Sequence, residues 1–181
     1  MRKLLWLGIA LAAPLWSAAS SAQVSSPWVT LSPPDGGFSI DFPGQPQLAQ
    51  IPPKPKTHTR VWSVHSSQLL DLFGVTDYDQ NIDAERELQL DVTNFLASEG
   101  GTLKEQHRLT FANAPDGPLP AVDFTFTDAA GPGESLVVVS GDRSYQIVVR
   151  AENGYDGAAA TARVLQSFRI TQPSRHWQGG Q

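Results

Sequence analysis

Apolar and polar residues alternate with a period of two along much of this chain. The clearest instance is Gly37-Phe38-Ser39-Ile40-Asp41-Phe42-Pro43-Gly44-Gln45-Pro46. Phe38, Ile40 and Phe42 fall on one side and Ser39 and Asp41 on the other, which predicts a strand with one buried face. Pro43 has no amide hydrogen for a ladder, and Pro43-Gly44 with Pro46 is turn chemistry, so the strand is short. A first short strand runs from Trp28 to Leu31, and Asp35-Gly36-Gly37 turns the chain into the second. Gln45 to Lys56 then holds Pro46, Pro52, Pro53 and Pro55 and is expected to be an extended connection, neither helix nor central strand.

Arg60 to His65 and Leu69 to Tyr78 have strand character on either side of Ser66-Ser67-Gln68, which predicts a hairpin. The period then changes. Leu88, Val92, Phe95 and Leu96 share one face of a helix, with Asp83 or Asn81 as its cap and Gly100-Gly101 as its left-handed stop. Glu85 and Glu87 suit the positive end of its dipole. Alternation returns from Thr102 to Phe111, with Leu103, Leu109 and Phe111 assigned to one face. Val122, Phe124 and Phe126 form the next strand, and Ala129 to Gly133 turns it. Leu136-Val137-Val138-Val139 is a continuous apolar run, which predicts a central strand buried on both faces. Gly141 to Ser144 links it to a partner strand from Tyr145 to Ala151. A second helix is expected with Asp156 as its cap and with Ala158, Thr161, Ala162, Val164, Leu165 and Phe168 on one face.

Strands mostly linked by hairpins, with one helix in the middle and one near the end, make an α+β domain: an antiparallel β-sheet covered by helices. Three passages resemble the PsbP-like family of small exported and lumenal domains. They are Gly37 to Pro46, the hairpin Gly141-Asp142-Arg143-Ser144-Tyr145-Gln146-Ile147, and Ala162-Arg163-Val164-Leu165-Gln166-Ser167-Phe168-Arg169. The resemblance spans Trp28 to Thr171. It implies a PsbP-like layered sandwich and a non-catalytic habit, since the passages that carry it are structural and contain no catalytic motif.

The first residues change the picture of where the domain begins. Arg2 and Lys3 precede an apolar stretch from Leu4 to Trp16, and Ser20-Ser21-Ala22 offers small residues for cleavage, so residues 1–22 are expected to be a signal peptide. The stretch is shorter than the roughly 20 residues that span a bilayer, and Pro14 interrupts it, so no stable membrane insertion is expected after cleavage. Residues 23–171 are then one α+β domain, and 172–181, without periodicity, are expected to be a flexible tail. The address implied is periplasmic or secreted.

The chain is acidic, with 13 lysines and arginines against 18 aspartates and glutamates and a net charge of −5. Loss of Arg2 and Lys3 makes it more acidic still, which disfavours nucleic acid and anionic membrane as main partners. It has no cysteine, which removes disulfide staples, thiol nucleophiles and thiolate metal sites.

Among candidate chemistry, Asp77-Tyr78-Asp79-Gln80-Asn81-Ile82-Asp83 spaces oxygen ligands as a calcium loop does. Asp77, Asp79 and Asp83 are the metal-site candidates, and calcium or manganese is the ion such a set suits. The loop departs from the motif in having Ile82 where a glycine permits the turn and Leu88 where a bidentate glutamate belongs, and an acidic helix cap produces the same residues. His58, His65, His107 and His176 lack helical zinc spacing, although His65 and His107, both on strands, are placed to meet across a sheet. Trp28, Trp62, Tyr78, Tyr145 and Tyr155 suit either a core or a ligand groove. No nucleophile elbow, zinc-protease helix or phosphate loop occurs. The expectation is an exported, non-catalytic binding or accessory protein of the cell envelope. Its partner is expected to be an envelope protein, with the segment Gln47 to Thr57 as the region for contact. The alternative is a divalent-cation or small-ligand binder using Asp77 to Asp83.

Overall fold

The computed structural model describes residues 27–65, 69–151 and 158–176. The expected leader, its cleavage site, Tyr155 and the Asp156 cap lie outside the described residues.

In chain order the elements are β1 (Val29–Leu31), β2 (Phe38–Phe42), β3 (Gln47–Ala49), β4 (Thr57–His65) and β5 (Leu69–Tyr78). Then come α1 (Ala84–Glu99), β6 (Thr102–Phe111), β7 (Leu119–Asp128), β8 (Gly131–Ser140), β9 (Arg143–Ala151), α2 (Ala158–Ser167) and β10 (Arg169–Ile170). Seven strands form one antiparallel sheet in the order β3-β4-β5-β9-β8-β7-β6, and β1-β2-β10 form a smaller one. Helix α1 packs over β7 and β8, while α2 packs against β2 and β9.

Strand periodicity explains the layers, because successive residues of the large sheet point to opposite faces. Leu136 and Val138 of β8 join Phe73, Val75, Tyr145 and Ile147 in one core, beneath the small sheet and α2. Val137 and Val139 join Phe124, Phe126 and Val148 in a second core, beneath Leu88 and Val92 of α1. The continuous apolar run of β8 is therefore needed, since both of its faces are covered. In the first core Phe38 lies 4.5 Å from Phe73 between ring centroids, and Phe168 lies 5.1 Å from Phe111. Each such ring contributes roughly 1.5–3 kcal/mol through burial.

Local signals are realised closely at α1. Asp83 is its cap, accepting a hydrogen bond from the Arg86 amide at 2.9 Å, and Gly100 ends it at φ 63°. In β6, by contrast, Leu103 does not share a face with Leu109 and Phe111. The pairing with β7 slips between Leu103 and Glu105, so Leu103 opposes Phe126 of the second core while Phe111 opposes Leu119 of the first. One extra residue in a strand reverses every side chain beyond it.

The chain beyond Ile170 does not leave the body at residue 172. Arg175 forms a parallel bridge to Gly141, its carbonyl accepts from the Asp142 amide at 2.9 Å, and Ser174 and Ser140 hydroxyls lie 2.8 Å apart. Gly141 makes this possible, because its φ is 63° and a Cβ there would lie 1.5 Å from the Arg175 oxygen. Residues 172–176 are thus a docked strap, and 177–181 lie outside the described residues.

Candidate functional site

The three carboxylates proposed for a cation serve three separate ends. Asp77, on β5, accepts from Arg143 Nε at 2.5 Å and from Arg175 at 3.1 Å, and it faces Arg60 at 3.5 Å. Three guanidiniums around one carboxylate compete with any metal cation for it. Asp79 is exposed and pairs with His58 at 3.5 Å, while Asp83 caps α1. No group of three or more metal-ligating side chains occurs among the described residues.

The strand histidines are likewise apart. Four strands separate β4, which carries His65, from β6, which carries His107, so they do not meet. His107 lies 3.5 Å from Asp123 instead. Of the aromatic set, Trp62 and Tyr145 are core residues. Trp28 lies beneath the Arg163 guanidinium at 3.9 Å, and Tyr78 donates to Glu87 under α1. Asp91, on the same side of α1, accepts from Ser144 at 2.5 Å. Burial pushes its carboxyl up to about 6, the Ser144 bond pulls the other way, and the Glu87 charge adds to the rise.

One carboxylate escaped the sequence reading altogether. Asp71, in β5, is fully buried between Val64 of β4 and Val149 of β9, and neither of its oxygens has a hydrogen-bond partner. Burial pushes its carboxyl up to about 7. Leu70-Asp71-Leu72 gives only one signal for it: an acidic residue where the alternation places Phe73 and Val75 on the same, inward face.

The most accessible constellation is the segment after β2. Every residue from Gln47 to Lys56 is exposed, and it holds two of the exposed large apolar side chains, Leu48 at 59% and Ile51 at 40%. Its strand, β3, is the edge of the large sheet and, among the described residues, pairs only with β4. Lys56 has φ 64°, a left-handed conformation that a non-glycine residue holds at a cost of about 1 kcal/mol. The turn is tied down on both sides: the Thr57 amide donates to Lys54 at 3.4 Å and the Asp79 amide to Lys56 at 3.0 Å. A cleft of about 200 Å³ opens at the start of the segment, lined by Gln45, Gln47, Ser63 and His65 among others. Elsewhere, a groove of about 530 Å³ lies between the loop before α1 and the strap, with Ile82, Leu119, Pro120, Ser174 and His176 on its walls.

No helix among the described residues is long and apolar enough to cross a membrane. No protein-family model matches the chain, and no curated protein matches it in sequence. Solved structures do. The solution structure of cyanobacterial PsbP (CyanoP) from Synechocystis sp. PCC 6803 superposes with a TM-score of 0.55 at 14% identity, covering 87% of this chain and 99% of that one. The sheet flanked by α1 on one side and by α2 with the small sheet on the other is therefore a PsbP-like fold.

Proposed function

We propose that this chain is an exported, non-catalytic binding or accessory protein of the cell envelope, with Gln47 to Lys56 as its working surface. The observation that carries the reading is two exposed apolar side chains, Leu48 on the edge strand β3 and Ile51 just beyond it, in a segment that ends in the strained, anchored turn at Lys56. Large apolar side chains left in solvent on a sheet edge suit a contact surface, and backbone strain that the surroundings enforce points to function. The PsbP-like architecture is compatible with this reading, because folds of this kind present loops on a packed scaffold.

Replacing Leu48 and Ile51 together by aspartate tests it. Both side chains are exposed, so the variant should fold with an unchanged far-ultraviolet spectrum, and it should lose the partner that cross-links to the wild type in native envelope preparations. A partner retained by the double variant overturns the placement. Export has its own measurement: the mature protein in the periplasmic or secreted fraction should begin at Gln23.

A second reading, small-ligand binding, has the 530 Å³ groove in its favour, a volume within the ordinary range of ligand pockets. Ligand-induced shifts in melting temperature that vanish on Leu119→Glu would support it.

A further inference from the structure

The chain is acidic overall, yet no carboxylate occurs between Asp41 and Asp71. That run contains β3, the exposed segment and the whole of β4. Its cations are Lys54, Lys56 and Arg60. Arg60 turns back to Asp77 and lies over the Trp62 ring. His58, in the same run, faces Asp79. Lys54 and Lys56 are exposed and form no ion pair among the described residues. The edge therefore presents two lysines without an ion pair at the Thr57 end of β4, where the Asp79 amide meets the Lys56 carbonyl, while Leu48 stands further along, opposite Trp62. From Thr57 to Ser63 it runs about 20 Å at about 3.3 Å per residue, and the polar cleft lies at its far end.

We infer that this edge receives an acidic segment of a partner protein, with carboxylates against Lys54 and Lys56 and an apolar side chain across Leu48 and Ile51. The inference rests on the function proposed above and adds the chemistry of the partner. Magnitudes favour a protein over a lipid surface. Two lysines near an anionic bilayer strengthen binding only about fivefold each, while the remainder of this acidic chain is repelled. Against a protein, the same lysines meet carboxylates held in place by a complementary surface, which steers the encounter and fixes its register. Contact is through side chains, since β3 has three residues and prolines follow it, features that blunt strand addition at a sheet edge.

The test is a titration of the mature protein, followed by amide NMR, with three probes. They are a soluble peptide of glutamates around a central leucine, the same peptide with lysines for the glutamates, and phosphatidylglycerol vesicles. The glutamate peptide should shift the amides of Leu48, Ile51, Lys54 and Lys56, and added salt should weaken it. Replacing both lysines, Lys54→Glu with Lys56→Glu, should lower its affinity roughly tenfold or more. Equal binding of the lysine peptide, indifference to the double charge reversal, or shifts produced by vesicles alone would each overturn the inference. If no glutamate peptide binds while the Leu48 and Ile51 double variant still loses its native partner, the acidic-partner inference falls and the proposed function stands.

Discussion

At the residue scale, Asp71 sets a pH dependence for the whole fold. An aspartate in the unfolded chain ionises near 3.8, whereas the buried one ionises near 7. Between those values the unfolded chain gives up a proton that the folded one keeps, so stability falls as pH rises from about 4 to 7 and stays lowered above it. The difference corresponds to on the order of 4 kcal/mol. Asp71→Val, which places a β-branched side chain between two valines, is expected to remove most of this slope and to stabilise the protein by several kcal/mol at pH 8, with a smaller gain at pH 4.5. Urea denaturation at the two pH values measures it. Lys56 makes a different prediction. Lys56→Gly relieves the left-handed strain and should raise stability by up to about 1 kcal/mol, while weakening the contact made at the exposed edge, because the cation leaves with the strain.

At the scale of elements, α1 was legible because every signal agreed: the apolar face, the acidic first turn, the aspartate cap and the left-handed glycine. Asp83→Ala is expected to cost about 1 kcal/mol in chemical denaturation, with Asp83→Ser retaining most of it. What anchors the other end of α1 was not legible. Arg150, nearly buried in β9, donates to Glu99 at 2.6 Å and lies 2.9 Å from Asp128, and its guanidinium lies over the Phe95 and Phe126 rings. Neither partner is near it in sequence, so no spacing rule reveals the pairing. Asp128 is itself buried, and Arg150→Met should cost about 3 kcal/mol or more by leaving that charge unpaired. The same limit explains the candidate sites. Oxygen ligands at alternate positions were visible in Asp77 to Asp83, but Arg60, Arg143 and Arg175, which claim Asp77, come from three distant stretches. The slip in β6 was hidden too, since a bulge leaves the sequence pattern intact and alters only its pairing. The segment after β2, in contrast, was readable from its prolines as an extended connection, although the three-residue edge strand β3 within it was not.

At the scale of the molecule, the strap ties the β8–β9 turn and Asp77, which the β5–β9 pairing already sets side by side, to Asp116 in the loop between β6 and β7. Gly141→Ala should expel it, since the added Cβ and the Arg175 oxygen cannot share the space; amide exchange at Asp142 should rise while the core strands stay protected. The order of the large sheet has a consequence in time. One half, β3 to β5, and the other, β6 to β9, are each built from neighbours in sequence, and they meet only along the β5–β9 seam. The bond from Arg143 to Asp77 there bridges 66 residues. Closing so long a loop before any contact rewards it is slow, so this seam is the expected kinetic bottleneck of folding. In stopped-flow measurements, Ile147→Val in the seam should slow refolding, whereas Leu88→Ala in α1 should chiefly speed unfolding. Until the seam closes, each half presents an open strand edge, and a newly made chain is then most exposed to aggregation.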